Sequence, residues 1–408
     1  MLDSPPPTAV RRRLRQGRDR LATALITAGG IGVIAALLAI GLFLAVEVVP
    51  LFWPSGESSA IRPEALWGGG EAAAEEAARH RWAPTATLAP DETPRISLAP
   101  LAWGTLEAAA WALVIAVPLA LGAAAHSSLF MTRRLRSRLK PTLELMEALP
   151  GVVVGFVAGL VLAPWVERHL AEVVACLLLL VPGLLLAGGL RSRLPARWRE
   201  ALPMGWAGLW LVPWLALVLA ASVWLAPWLE AVAFDGDLRR FLELRLGLDI
   251  AVRNALIVGA AMGFAVMPSI YALAEDALSG VPPSLAEGAQ ALGATRWQTL
   301  WRVVLPAASP GIFSAVMIGA GRAVGETMIV LMASGNAALM TLNPLDGLRS
   351  LAATIAIELP EAGPGSVHYQ LLLLAALALF VFTFLVNTLA ELVRTRLRRR
   401  YRRLGGGS

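Results

Sequence analysis

The sequence predicts an all-α, polytopic membrane protein of about eight transmembrane helices, on three observations. The chain is 57% hydrophobic and only 16% charged over 408 residues, with a mean hydropathy of +0.65. A soluble domain carries about 25% charged residues. The apolar residues also collect into eight runs long enough to cross a bilayer, at 22–51, 100–126, 149–166, 172–190, 204–230, 251–274, 308–334 and 370–392. Finally, arginines and lysines gather between alternate runs, as they do when those connections stay in the cytoplasm.

Residues 1–21 form a Pro- and Arg-rich cytoplasmic tail. The first run, 22–51, follows this basic stretch as a signal peptide would. It is too long and lacks a small-residue cleavage site, so it reads as an uncleaved anchor. An external segment, 52–99, is rich in Gly, Ala, Pro and Glu. Ala72 to Arg79 suits a short helix, and no motif there carries chemistry. The stretch 100–166 makes the first part of a membrane core. Its last run and the next are short enough to form a re-entrant pair instead of two crossings.

Residues 167–250 read as an added transmembrane hairpin with an external loop. Its two runs are joined by a basic link, 191–200, and the inserted part extends over 172–248. Trp198, Trp206, Trp210, Trp214, Trp224 and Trp228 suit interfacial anchors better than an aromatic ligand box. The second part of the core is 251–392, containing a long cytoplasmic loop at 275–307, and 393–408 is a basic cytoplasmic tail.

Both termini are therefore expected in the cytoplasm. The inner segments hold Arg11, Arg12, Arg13, Arg133, Arg134, Arg136, Lys140, Arg191, Arg193, Arg197, Arg199 and the run from Arg394 to Arg403. The outer ones are offset by Glu57, Glu64, Glu71, Glu75, Glu76, Asp91, Asp235, Asp237, Asp346, Glu358 and Glu361. Nucleic acid is a poorer explanation of the basic tails than topology and anionic lipid, because the clusters hug the membrane ends.

Several function classes are excluded. Cys176 is the single cysteine, so neither an internal disulfide nor a cysteine metal site is available. His80, His126, His169 and His368 are scattered without ligand spacing. No catalytic nucleophile–base pair, metal cluster or cofactor motif is found, and no phosphate-cradling GxxxxGK[ST] loop. The chain is not expected to be an enzyme or to hydrolyse ATP itself.

One charged string stands out. Arg322 lies about midway along the apolar stretch 310–334, within Gly-Arg-Ala-Val-Gly-Glu-Thr at 321–327. Glu326 follows by four residues, which on a continuous helix puts both charges on one face. Charges at membrane depth almost always face a protein-lined pathway or each other, so a substrate path and a structural lock both remain open. Thr327 and Asn336 can donate hydrogen bonds, although packing or capping explains them equally well.

The loop 275–307 is the other informative region. Pro282 and Pro283 break the incoming helix, and Ser284 suits the N-cap of a new one. Leu285, Ala289 and Leu292 give that helix an apolar face, and Gly293 ends it in the left-handed conformation. A second amphipathic helix follows, with Trp297, Leu300, Trp301 and Val304 on one side. A short helix–Gly–helix element suits docking in a groove of a soluble partner, while an amphipathic loop lying on the membrane is the plainer alternative.

Glu287-Gly288-Ala289, then Gly293, then Val303, Leu305 and Pro306 resemble the EAA loop of ABC-importer permeases. Gly288 stands for the usual second alanine and Val303 for isoleucine. The resemblance implies an ABC-importer permease core in which Glu287, Gly288, Ala289, Gly293, Leu305 and Pro306 couple to a cytoplasmic ATPase. Arg-Ala-Val-Gly-Glu-Thr at 322–327 further resembles the signature of phosphate importer permeases of the Pst type. The segment 141–156 is similar to the one opening the third core helix there, and Asn336 with the stretch 327–332 is closest to the PstC-type subunit.

That resemblance covers 100–166 and 250–392. It implies Arg322, Glu326 and Thr327 as substrate-pathway residues. Its implied partners are an ATP-binding subunit dimer, a second, PstA-type permease and an external phosphate-binding protein, in a bacterial inner membrane. An importer for another oxyanion, sulfate or molybdate, is the alternative within the class. A secondary transporter driven by an ion gradient is less favoured, since no internal repeat is seen and only Glu326 is clearly deep. A scaffold or phosphate sensor without transport is the third class.

Overall fold

The computed structural model describes residues 9–52, 82–83, 95–193 and 211–405. The suggested helix at Ala72 to Arg79, His80, the basic link with Arg197 and Arg199, and the indoles of Trp198, Trp206 and Trp210 lie outside them. The described residues are helical apart from loops and a two-residue antiparallel ladder that pairs Trp82–Ala83 (β1) with Arg95–Ile96 (β2).

Eight helical stretches are long and apolar enough to cross a membrane. Helix α1 is Ala9–Phe52 and α2 is Ala99–Leu129. Helix α3, Arg133–Glu147, is short and polar, and α4 follows as Gly151–Arg168. The pair α5 (Leu170–Arg193) and α6 (Leu211–Ala233) pack on each other, with α7 (Leu238–Leu246) beyond. Next come α8 (Ala255–Ser279), the short α9 (Pro283–Ala291) and α10 (Arg296–Gly325). Three more complete the described chain: α11 (Met328–Ala333), α12 (Leu351–Glu358) and α13 (Val367–Gly405). The runs at 149–166 and 172–190 become two separate helices, α4 and α5, parted at His169.

Helix α8 is the central one: 61% of its apolar window is buried, against 11% for α1. Its closest partner is α2, and alanine explains why. Ala108, Ala112, Ala116, Ala120 and Ala124 recur every fourth residue and are all buried, forming a flat stripe on α2. On α8, Gly259 and Gly263 meet that stripe. A Cβ on Gly259 would lie 2.5 Å from the Trp111 Cβ, and one on Gly263 3.1 Å from the Ala112 carbonyl oxygen. Lipid offers no hydrophobic drive between helices, so this small-residue packing is what lets the backbones approach. Gly259→Leu is therefore expected to separate α2 from α8 and cost at least about 1–3 kcal/mol of stability. The check is a lower unfolding temperature and lower folded yield in detergent.

Prolines shape two other helices. The π-helical turn at Ala158–Leu162 in α4 lies just before Pro164, and the one at Leu300–Val304 in α10 just before Pro306. A proline has no N–H and its ring clashes with the carbonyl four residues earlier, so the backbone widens there. Outside the core, α7 is tied to α4 by Arg239, whose guanidinium lies 2.9 Å from Glu167. In the α5–α6 hairpin, Trp214 donates to the Gly183 carbonyl at 2.6 Å, whereas Trp224 and Trp228 stand exposed, as lipid-facing anchors do.

Candidate functional site: an inter-helix ion pair and an exposed helix–Gly–helix turn

The first departure from the sequence expectation is at Glu326. Helix α10 ends at Gly325, and Glu326 itself is extended, with φ −71° and ψ 120°. The apolar stretch 310–334 is thus two helices with a break between them, and Arg322 and Glu326 do not share a continuous helical face. Glycine lowers helix propensity, and Gly319, Gly321 and Gly325 all fall in this last stretch of α10. The Glu326 carboxylate turns toward α11, where it accepts from the Ile329 backbone N–H at 3.4 Å, and it closes on Gly151 at the start of α4. Acidic groups are favoured beside helix N-termini.

Arg322 instead pairs with Glu147, the last residue of α3. The guanidinium Nη1 lies 2.7 Å from Glu147 Oε1 and donates to Ser269 Oγ on α8, also at 2.7 Å. Ser269 Oγ in turn donates to Glu147 Oε1 at 2.7 Å, and Arg322 Nη2 reaches the Glu147 carbonyl at 3.4 Å. Three helices converge on one guanidinium.

Ser269 lies about 9 Å along α8 from Glu275, where the cytoplasmic loop is expected to begin, at about 1.5 Å per residue. That is about a third of the hydrocarbon thickness of a bilayer. The side chains of Arg322 and Glu147 are 34% and 44% exposed. A charge placed there faces a protein-lined path or is held by a counter-charge.

The remaining expected site residues are local. Thr327 Oγ1 donates to the Gly325 carbonyl at 3.4 Å, within the break between α10 and α11. Asn336 has φ +55°, and its amide donates to the Leu331 carbonyl, so it caps the end of α11. Neither touches Arg322 in the described contacts.

At the foot of the same helices, α3 grips α8. Glu275 is fully buried and forms ion pairs with Arg136 and with Lys140, the latter at 3.2 Å. Lys140 also pairs with Asp276. The hydrogen bond to Asp276 outweighs partial burial and, with Glu275, holds the Lys140 ammonium above its ordinary range.

The docking turn is built next to this grip. Helix α9 starts at Pro283, so Pro282 and not Ser284 takes the N-cap position, without a side-chain bond, and Pro283 at the first helical position is pre-set for the helix. At its end Gly293 takes φ +89°, with the Ala294 N–H bonded to Ala289 O and the Gly293 N–H to Gln290 O. This is a Schellman turn, which needs glycine at that position. A capping box between Thr295 and Gln298 then opens α10.

No residue of α9 is buried, and Leu285 and Leu292 are 48% and 91% exposed. Glu287 and Gly288 are exposed and Ala289 half-buried. The expected single apolar side of the following helix splits in two. Leu300 and Val304 are buried, whereas Trp297 and Trp301 stack edge-on and stand in solvent. The π turn before Pro306 supplies the reason, because it shifts the angular register of 300–304.

The sequence profile of the family described as "Binding-protein-dependent transport system inner membrane component" matches residues 116–403. The chain belongs to that family. This permease is 25% identical over 386 residues to a "Probable ABC transporter permease protein YqgH" of Bacillus subtilis (strain 168), covering 94% of the permease and 93% of the relative. It is 30% identical over 295 residues to "Phosphate transport system permease protein PstC 1" of Mycobacterium bovis, covering 72% and 70%. A PstC of Mesorhizobium japonicum is 28% identical over 301 residues, with 74% of each chain covered. The permease is thus a multi-pass membrane transport subunit with an ABC-permease core.

Glu147 and Ser269 were not among the sequence-predicted site residues of the permease. The one available signal was a carboxylate three residues before Pro150, at the foot of an apolar run. Pairing across 175 positions leaves no local pattern.

Proposed function

We propose that the permease carries inorganic phosphate across the bacterial inner membrane as one subunit of an ATP-driven importer. The observation that carries this reading is the half-exposed Arg322 guanidinium among the membrane-crossing helices. A guanidinium offers a planar fork of donors that matches the oxygens of a tetrahedral oxyanion. Phosphate is favoured over sulfate or molybdate because phosphate permeases are among the relatives at 28–30% identity.

In this reading Arg322 receives the anion and Ser269 donates a further hydrogen bond. Glu326, turned to the α4 and α11 ends, shapes the path without holding Arg322, and Thr327 steadies the break. Both sides of the Arg322–Glu147 pair run down to the docking turn. Arg322 rides on α10, which directly follows α9, and Glu147 rides on α3, whose Arg136 and Lys140 hold the foot of α8. A partner ATPase closing on Glu287, Gly288, Ala289 and Gly293 would push through Leu305 and Pro306 into α10 and so move Arg322. The partners are an ATPase dimer, a second PstA-type permease and an external phosphate-binding protein, and both termini lie in the cytoplasm.

Uptake of labelled orthophosphate by cells with and without this chain tests the proposal, with unlabelled sulfate and molybdate as competitors. Loss of uptake on deletion, with neither competitor inhibiting the intact strain, is expected. Undiminished uptake in the deletion strain dismisses transport. Inhibition by sulfate or molybdate assigns the other oxyanion.

A further inference from the structure

We propose that Glu147 is a tethered counter-anion. It occupies the Arg322 fork between transport events, and the travelling oxyanion passes only by displacing it. The inference rests on the phosphate-pathway reading above and adds the regulation of that site.

The geometry supplies the argument. Glu147 Oε1 sits 2.7 Å from Arg322 Nη1, the place an oxyanion oxygen would take, and carboxylate and phosphate oxygens engage a guanidinium in the same way. Ser269 Oγ bridges the two, donating to the carboxylate and accepting from the guanidinium, both at 2.7 Å. Because it can also turn its hydroxyl to a new acceptor, the bridge can be handed over when Glu147 leaves.

The carboxylate is also placed to move. Glu147 closes α3, and the link of Ala148, Leu149 and Pro150 follows before α4 begins. The other end of α3 is fixed by Arg136 and Lys140 to the buried Glu275 on α8. A shift of α8 relative to α10 therefore acts on the pair from both sides.

Chemistry explains why a permease needs such a group. An uncovered arginine at this depth would retain whatever anion reached it, and conduction requires that the ion leave again. A tethered carboxylate is present at an effective concentration of about millimolar or more. It keeps cytoplasmic anions off Arg322 and returns as the transported anion departs. A purely structural bridge is the alternative, and an ion pair this open to solvent contributes little stability.

The test is labelled orthophosphate uptake by the complete complex in proteoliposomes, with millimolar sulfate added on the ATPase side. Wild type and Glu147→Asp are expected to ignore the sulfate. Glu147→Gln leaves Arg322 uncovered, so its uptake should fall severalfold with sulfate and show a lower maximal rate without it.

Sulfate resistance of Glu147→Gln equal to wild type, with Arg322→Gln inactive, overturns this inference and leaves the pathway reading standing. Wild-type transport by the charge-swapped pair Glu147→Arg, Arg322→Glu makes the bridge structural and overturns both. Should Glu147→Gln fail to assemble, Ser269→Ala serves instead. It removes the bridging hydroxyl and should raise sulfate sensitivity in the same direction, and wild-type resistance there counts against the proposal.

Discussion

Replacing Arg322 with glutamine is expected to abolish phosphate uptake while the complex still assembles. The substitution removes the donor fork and leaves the Glu147 carboxylate bare in the path. A monovalent anion about 4 Å from that charge meets about 4 kcal/mol of repulsion at an effective dielectric of about 20. At 1.4 kcal/mol per decade this approaches about 10³ in rate, and the 34% and 44% exposure of the pair lets solvent screen part of it. A loss of at least about tenfold therefore follows even after screening.

Assembly is expected to survive, because exposed ion pairs contribute only about 0–1 kcal/mol. Uptake should be measured beside co-purification of the ATPase and the second permease. Normal uptake dismisses the pathway role, and failed assembly with lost uptake assigns Arg322 to a structural lock.

The docking turn should be equally sensitive, by a different route. Gly293→Val puts a β-branched residue at φ +89°, a conformation that costs an L-residue about 1–3 kcal/mol and that only a strongly constrained fold maintains. The Schellman turn is expected to open, changing the angle between α9 and α10. Glu287→Ala leaves the turn intact and removes an exposed charge from the docking face.

Because no residue of α9 is buried, neither change should disturb folding of the membrane part. Both should instead lower ATPase retention by at least about tenfold, the scale of losing a central anchor of a helix-in-groove contact. Pull-down of the ATPase with uptake in parallel is the check. Unchanged association and transport in both variants would remove α9 from the coupling role.

How much of this was legible in the residues varies along the chain. The crossings were, because a bilayer demands long apolar runs and satisfied backbones, leaving helices as the available answer. Gly293 was too, since glycine takes a left-handed helix end without a Cβ penalty. The packing of α2 on α8 was present as Gly259, Gly263 and the alanine stripe, yet which helix would receive that face was not. The division of Trp297 and Trp301 from Leu300 and Val304 escaped a simple 3.6-residue count. Pro306 follows a wider turn at Leu300–Val304, so the count fails six residues before the proline is reached.

Arg322 shows the boundary most clearly. Its sequence neighbours suggested Glu326 as partner, and a continuous helix would have made that so. Hydropathy, charge and the helix-end chemistry of single residues are local quantities, and from them alone the chain determined a polytopic membrane protein with an arginine in an apolar run and a helix–Gly–helix turn. The counter-charge is a tertiary matter. Only the convergence of α3, α8 and α10 decided that Glu147 and Ser269 meet Arg322, because an ion pair selects its partner by distance in space, and the break at Glu326 turned the nearer carboxylate away.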